Sequence, residues 1–259
     1  MRIYSNTYEL MSEMGRELNS YGQVVKPKTY QNQVIEGNED FITKEIICQQ
    51  YCLTSMPDPE WLFVYTKTKE WADAEFEERI NRRGLNPGKA WELNKDMWEQ
   101  FLVTDDETGE KLNCFDYTYS CRINSVPGFL EGTNNKSKLD GVIRLLKNDP
   151  DTRKAIINIF TTYDTLFYDG SRRIPCSMYY DFLIREDSKG IKRLHICYHQ
   201  RSSDFVQHFG DDVYLAWRLM EYIAHEVGIK PGYLYHTIDS LHSYKKDWQL
   251  LQTSIDDIR

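Results

Sequence analysis

The clearest apolar periodicity in the chain follows Asp212, where Val213, Ala216, Trp217, Met220, Ile223, Ala224 and Val227 fall at helical spacing and Gly228 supplies a stop. This pattern predicts a buried central helix. Upstream, Met178 to Arg185 and Leu194 to Gln200 read as two strands joined through Asp187-Ser188-Lys189-Gly190 as an antiparallel hairpin. Downstream, the turn Lys230-Pro231-Gly232 leads into a strand over Tyr233 to Ile238.

The earlier chain is less regular. Residues 1–20 begin with a helix, and Gln23 to Ile35 reads as two strands flanking a basic loop at Lys26-Pro27-Lys28. Such a loop either closes over an anion or stands in solvent. Between Glu45 and Trp71 apolar residues recur at helical spacing, interrupted by Met56-Pro57-Asp58-Pro59. Proline is tolerated in a first turn and Asp58 can cap it, so a helix is predicted from near Glu60 with Trp61, Val64 and Tyr65 inward. Residues 72–112 are charged and broken by glycine and proline, as in a surface excursion, with Trp91 and Trp98 as anchors or site-lining rings. Phe115 to Ile123 alternates as a strand does, Leu139 to Lys147 is a short helix, and Ala155 to Phe160 is a buried strand entered through Arg153 and Lys154.

Composition narrows the class. Hydrophobic residues make up 41% of the 259 and aromatics 14%, so the chain is a folded globule with a full core. No linker-like composition divides it, and one domain over residues 1–259 is expected. The net charge of −8 speaks against a broad nucleic-acid or membrane surface, so no DNA or membrane partner is expected and phosphate recognition is local. No apolar run approaches a membrane span, and MRIYSNTYEL lacks the core of a signal peptide, so a cytoplasmic protein is expected. The six cysteines form no CxxC pair. Cys48 and Cys52, four apart on a possible helix, lack nearby His or Cys partners, and no metal site is expected.

Candidate chemistry gathers in the second half, where all six histidines fall after residue 194. Arg201, Ser202 and Ser203 form a basic and hydroxyl cluster suited to phosphate, Asp204 follows at once, and Asp211-Asp212 open the central helix. Cys176, in the turn Pro175-Cys176-Ser177, lies at the start of the first hairpin strand and Arg201 at the end of the second. The hairpin therefore brings them together. Positive charge beside a thiol favours the thiolate, which makes Cys176 the candidate nucleophile. Arg201, Ser202, Arg153 and Lys154 suit a phosphate monoester through charge-assisted hydrogen bonds, and His242 and Tyr244 suit sugar hydroxyls. A nucleotide is the natural substrate. Plain structural roles remain open beside these: Glu60 also suits a helix dipole, and Asp211 or Asp212 also suits a helix cap.

Three ordered motifs, Pro175-Cys176, Gln200-Arg201-Ser202-Ser203-Asp204 and His242-x-Tyr244, resemble those of the thymidylate synthase superfamily. Asp151-Thr152-Arg153-Lys154 is similar to the family's PDSRR turn, and Asp106 to Tyr117 to the loop leading to its active-site Tyr. The likeness runs from about Glu60 onward. It implies an α+β fold, with a large mixed β-sheet packed against a buried central helix and surrounding helices. It also implies that Cys176 adds to C6 of a pyrimidine nucleotide and that C5 takes a one-carbon unit from 5,10-methylenetetrahydrofolate, with no metal. Gln200, Arg201 and Ser202 would bind the nucleotide, His242 and Tyr244 its sugar, and Arg153 and Lys154 would reach into the partner's site of a homodimer. Asp204 would bind the pterin and act in catalysis, Trp98 would lie near the folate, Glu60 would organise water and protons, and Tyr117 would support the nucleophile. Lys154 stands where the family has a second Arg, which loses bidentate geometry.

Two departures direct the choice of reaction. Counted without gaps from Asp204, the family's base-reading Asn falls on Asp212. An Asp accepts from cytosine N4 and, when protonated, donates to N3, whereas its anion repels uracil O4. Asp at this position resembles the phage-type deoxycytidylate hydroxymethylases, as does Ala216-Trp217, and would put the protein in a host cytoplasm if phage-encoded. Fifteen residues follow Tyr244, against the long closing tail of thymidylate synthases, so water is expected to reach the exocyclic methylene. The expected reaction is C5 hydroxymethylation of dCMP, with CMP possible. A dCMP or CMP C5-methyltransferase and a dUMP-using thymidylate synthase are the enzymatic alternatives. A silent nucleotide- or RNA-binding relative is the other class, against which Cys176, Glu60 and Asp204 speak.

Overall fold

The computed structural model describes residues 1–105, 107–124 and 137–258. Its first elements are β1 (Arg2–Tyr4) and the expected N-terminal helix α1 (Thr7–Tyr21), capped by the Asn6 side chain on Glu9 N. Then come β2 (Gln23–Val25), the two-residue strands β3 (Thr29–Tyr30) and β4 (Gln33–Val34), and β5 (Thr43–Leu53). A 3-10 turn over Pro59–Phe63 precedes α2 (Lys69–Ile80), α3 (Lys95–Trp98), the small hairpin of β6 (Leu102–Thr104) and β7 (Lys111–Phe115), and α4 (Tyr119–Asn124). The remainder is α5 (Lys138–Asn148), β8 (Ile156–Asn158), β9 (Ser177–Glu186), β10 (Lys192–Gln200), β11 (Ser203–Asp204), α6 (Phe209–Val227), β12 (Lys230–Tyr244), α7 (Trp248–Gln252) and α8 (Ile255–Ile258).

One mixed sheet dominates, in the order β1-β5-β12-β10-β9-β8, with β2 added to β5 and β11 to β12. The β1–β5 and β10–β12 pairs are parallel, while β5–β12, β9–β10 and β8–β9 are antiparallel. On its buried face Tyr51, His236, Tyr198 and Tyr180 form a row across four strands; the Tyr198 and His236 rings stack at 4.4 Å and those of Tyr180 and Tyr198 at 4.5 Å. Helix α6 covers this face, with Phe209, Val213, Ala216, Met220 and Ile223 all buried. Gly228 ends it at φ 84°, a left-handed conformation in which glycine bears no Cβ penalty. The fold is therefore the α+β arrangement of a large mixed sheet against a buried central helix.

Several local expectations need correction. The first third of the Glu45–Trp71 stretch is the strand β5, not a helix, and carries Cys48 exposed and Cys52 buried. Cys48 takes a left-handed φ of 56° in mid-strand, and the alternation of buried and exposed side chains breaks there. That break removes the period-two signal. Asp58 does cap the Pro59–Phe63 turn, through Glu60 N at 3.3 Å, but the turn is a 3-10 helix. Phe115 to Ile123 is no strand: β7 ends at Phe115 and α4 begins at Tyr119, where Tyr119 and Ser120 turn onto α2. Part of the 72–112 excursion is the packed helix α2, which buries Trp71, Ala72, Phe76 and Arg79. The strand expected over Tyr233–Ile238 runs the full length of β12, and Asp106 lies outside the described residues.

Candidate active site

The hairpin of β9 and β10 closes its two ends on one another as its pattern predicts, with Ser177 opposite Gln200. Arg201 N donates to Cys176 O at 2.9 Å, its Nε to Pro175 O and its Nη2 to Ile174 O, both at 2.9 Å. The same Nη2 stands 3.9 Å from Cys176 Sγ. The guanidinium thus braces the Ile174-Pro175-Cys176 turn while facing the thiol. Both residues line a cavity of about 570 Å³, together with Ser202, Asp204, Asp212, His242, Tyr244, Tyr117 and Trp98.

Asp212 enters this cavity from the first turn of α6. Its Oδ2 accepts from Gln200 Nε2 at 2.8 Å and Ser203 Oγ at 3.2 Å. Loss of water pushes its pKa up to about 6, against the lowering effect of the Gln200 bond. The orientation of the Gln200 amide is set from behind. Its Oε1 accepts from His236 Nε2 at 2.8 Å, and His236 Nδ1 accepts from Tyr51 OH at 2.8 Å. Burial lowers the His236 pKa to about 3, so the ring is neutral and carries one N–H, on Nε2. Tyr51, His236, Gln200 and Asp212 therefore form a one-directional donor chain that ends on the carboxylate.

The remaining residues stand on either side. Asp204 is buried, accepts from Val206 N at 3.1 Å and Gln207 N at 3.3 Å, and has its pKa raised to about 7 by burial and by the charge of Asp247. Burial raises Tyr117 to about 12. His242 is lowered by burial, and its Nδ1 lies 3.4 Å from Ser240 O. Trp98 stacks on Trp71 at 5.5 Å, and its buried Nε1 has no hydrogen-bond partner. Rings with an unsatisfied donor, next to a buried acid, suit a flat heterocycle with polar edges.

One expected placement fails. Glu60 is exposed and does not line the cavity, because the turn that carries it lies outside; among the described residues the glutamate that does line it is Glu75 of α2. Glu75 Oε1 accepts from Arg79 Nε at 2.9 Å, and burial raises its pKa even so. Arg153 and Lys154 are exposed and stay outside this chain's own cavity. Lys28 of the basic loop pairs with Glu36 in solvent at 3.0 Å. The loop's contribution is Gln31 instead, at the tip of the β3–β4 hairpin with φ 54°, whose Nε2 reaches to 4.0 Å from Cys176 Sγ. Asp211, Arg173 and His208 also line the cavity and were not foreseen. Burial raises Asp211 well above the usual range, while Thr68 Oγ1 donates to it at 2.6 Å; burial lowers His208 to about 4. Glu75 and Arg79 had a sequence signal in their four-residue spacing on a helix, and Arg173 in its place three residues before Cys176. Among the described residues no group of three His, Cys, Asp or Glu side chains is placed to hold a metal ion.

The sequence model of the family described as thymidylate synthase matches residues 81–257. The chain belongs to the thymidylate synthase family. A protein of Methanosarcina barkeri named "Putative thymidylate synthase" is 30% identical over 149 residues, 57% of this chain and 62% of that one. The chain thus spans about three-fifths of the length of this archaeal relative. A protein of Bacillus phage SP01 named "Deoxyuridylate hydroxymethyltransferase" is 30% identical over 117 residues, 44% of this chain and 29% of the phage protein. The solved thermostable thymidylate synthase A of Bacillus subtilis superposes with a TM-score of 0.69 at 16% identity, over 97% of this chain and 84% of that one. The thymidylate synthase fold thus extends over parts of the chain where few identities remain.

Proposed function

We propose that this chain hydroxymethylates C5 of a cytidine monophosphate, dCMP in preference to CMP, as a single catalytic domain working in a homodimer. Asp212 carries the reading. With Gln200 and Ser203 donating to Oδ2, the carboxyl is fixed and its other oxygen is left for a base. A carboxyl with a pKa near 6 is available to accept from an exocyclic amino group or, protonated, to donate to a ring nitrogen acceptor. Facing uracil O4 it is repulsive, and a mismatch of this kind in a site built for hydrogen bonding discriminates by up to about 10⁴-fold.

The other residues take roles that their positions suit. Cys176 adds to C6, Arg201 and Ser202 take the phosphate, and His242 and Tyr244 take the sugar. Arg153 and Lys154, outside their own cavity, serve the site of a second copy. Methylenetetrahydrofolate, when bound, supplies the one-carbon unit, and Asp204 and Trp98 hold it through the pterin edge and the ring face. Tyr117 packs beside the nucleophile. Glu75, held by Arg79, replaces Glu60 as the group that positions water and protons at C5. The hydroxymethyl product finds support in the name of the phage relative. Synthesis of thymidylate from dUMP is the second reading, favoured by the name of the archaeal relative.

Incubation with methylenetetrahydrofolate and, in turn, dCMP, CMP and dUMP, with products identified by mass, tests the proposal. The expected product is 5-hydroxymethyl-dCMP, with no rise in dihydrofolate absorbance. Asp212→Asn is expected to move preference toward dUMP by roughly 10²-fold or more in kcat/KM. Turnover of dUMP alone by the unaltered protein would sink the Asp212 argument, and dihydrofolate formed with dCMP would make the enzyme a methylase.

A further inference from the structure

Arg173 is the buried cation that the reading above leaves unused. It is 7% exposed and lines the cavity three residues before Cys176. Its guanidinium carbon lies 4.2 Å from the Phe101 ring centroid, 5.3 Å from that of Tyr117 and 5.6 Å from that of Trp98. The backbone N–H of Arg173 donates to Asp116 Oδ2 at 3.1 Å. Its buried Nε has no hydrogen-bond partner, and among the described residues no carboxylate pairs with its guanidinium. The other arginines around the cavity are engaged: Arg79 with Glu75, Arg201 with two backbone carbonyls as well as facing Cys176 Sγ at 3.9 Å, and Arg172 over the half-buried Phe167 ring.

A buried charge with no counter-charge is costly, and three ring faces offset only part of that cost. The missing negative charge is left to a bound or reacting group. Phosphate has its own donors in Arg201 and Ser202, so the place of Arg173 decides which charge it meets. Arg173 and Cys176 line the same cavity, and so does Tyr117, whose ring centroid lies 5.3 Å from the guanidinium carbon.

We propose that Arg173 is the charge-balancing residue of the nucleophilic step: its guanidinium faces the negative charge of the Cys176 thiolate, then that of the pyrimidine ring to which the charge passes. The second half rests on the proposed function; the first does not. On ionisation the thiol proton leaves to solvent and the charge rests on Sγ. When the Sγ electron pair forms the bond to C6, the C5–C6 π pair moves to C5, and one negative charge passes from sulfur to ring with no other bond broken. A fixed cation beside both positions favours each charged form without reorganising.

The test is the pH dependence of Cys176 alkylation by iodoacetamide in the full chain without nucleotide, located by peptide mass, for wild type, Arg173→Gln, Arg173→Met and Arg173→Lys. Met keeps an unbranched stem among the three rings, and a cooperative urea transition identifies the folded variants. Both neutral variants are expected to label about tenfold more slowly below neutral pH and to converge with wild type at high pH, while Lys stays within about threefold. Identical curves for wild type and the neutral variants overturn the proposal. So does slowing by the same factor at every pH, which reports access to the thiol rather than charge. Release of tritium from C5-labelled dCMP by the same proteins reads the second half. Its absence in wild type, with the labelling difference intact, refutes the nucleotide reading and leaves the role of Arg173 at the thiolate standing.

Discussion

Asp204 shows how much one residue can set the pH response. Its folded-state pKa of about 7 lies above the ordinary Asp value, because burial and the charge of Asp247 oppose ionisation. Between those two values the folded form binds more protons than the unfolded one, so this residue makes stability fall as pH rises from about 4 to about 7. Asp204→Asn keeps an oxygen for Val206 N and Gln207 N but does not titrate. Urea unfolding at pH 4 and pH 8 is expected to show the variant gaining on wild type by on the order of 2 to 4 kcal/mol across that range. His208 and His236, lowered by burial to about 4 and 3, act in the opposite sense, but equally in both proteins. A difference independent of pH would mean that Asp204 is ionised as easily as an exposed Asp. At this scale the sequence was readable where chemistry is written as a contiguous string, as in Pro175-Cys176, Gln200 to Asp204 and His242 to Tyr244. Glu75 was hidden because its partner Arg79 is one helical turn away in a run of charged residues, whereas Glu60 offered the generic signature of a first-turn acid.

At the scale of elements, the site depends on one close approach. A Cβ built on Gly210 would stand 1.8 Å from Leu62 O, so the start of α6 can meet the Pro59–Phe63 turn only with glycine there. That contact sets where the next two residues, Asp211 and Asp212, enter the cavity. Gly210→Ala is expected to destabilise the protein by about 3 kcal/mol or more, the range of overpacked cores at its upper end, read as a lower urea midpoint. A midpoint within error of wild type would show that the turn yields freely. Central elements with one clean period, α6 and the β9–β10 hairpin, could be read from their patterns. Strand β5 could not, since the left-handed Cys48 interrupts the alternation and leaves a spacing that a helix also satisfies.

The whole molecule leaves one sheet face to be accounted for. Opposite the row of buried tyrosines, Asp181, Cys197, Tyr235 and Cys52 lie in register across four strands, with Ile156 beside Asp181 at the sheet edge next to Arg153 and Lys154. If the proposed homodimer joins through this face, Arg153 and Lys154 are the cations it offers to a second copy's cavity. Mixing Cys176→Ala with an Arg153→Ala, Lys154→Ala double variant is then expected to restore about a quarter of wild-type turnover, since half of the dimers are mixed and each has one intact site. Activity no higher than the sum of the parents would show that each chain completes its own site. No periodicity in a single chain announces such an arrangement, because the spacing that matters is between molecules.

The position of β12 between β5 and β10 has a consequence for how the protein comes into being. Strand β5 ends at Leu53, yet its long neighbour begins only at Lys230 and leaves the ribosome much later. Until Lys230–Tyr244 is made, β5 and the hairpin of β9 and β10 present two unpaired edges with nothing between them, the state in which strands most readily join the wrong partner. Contacts so distant in sequence are also the slow ones to form. The strand that closes this gap is the one that carries His242 and Tyr244, so the nascent chain completes its sheet and its cavity in the same event.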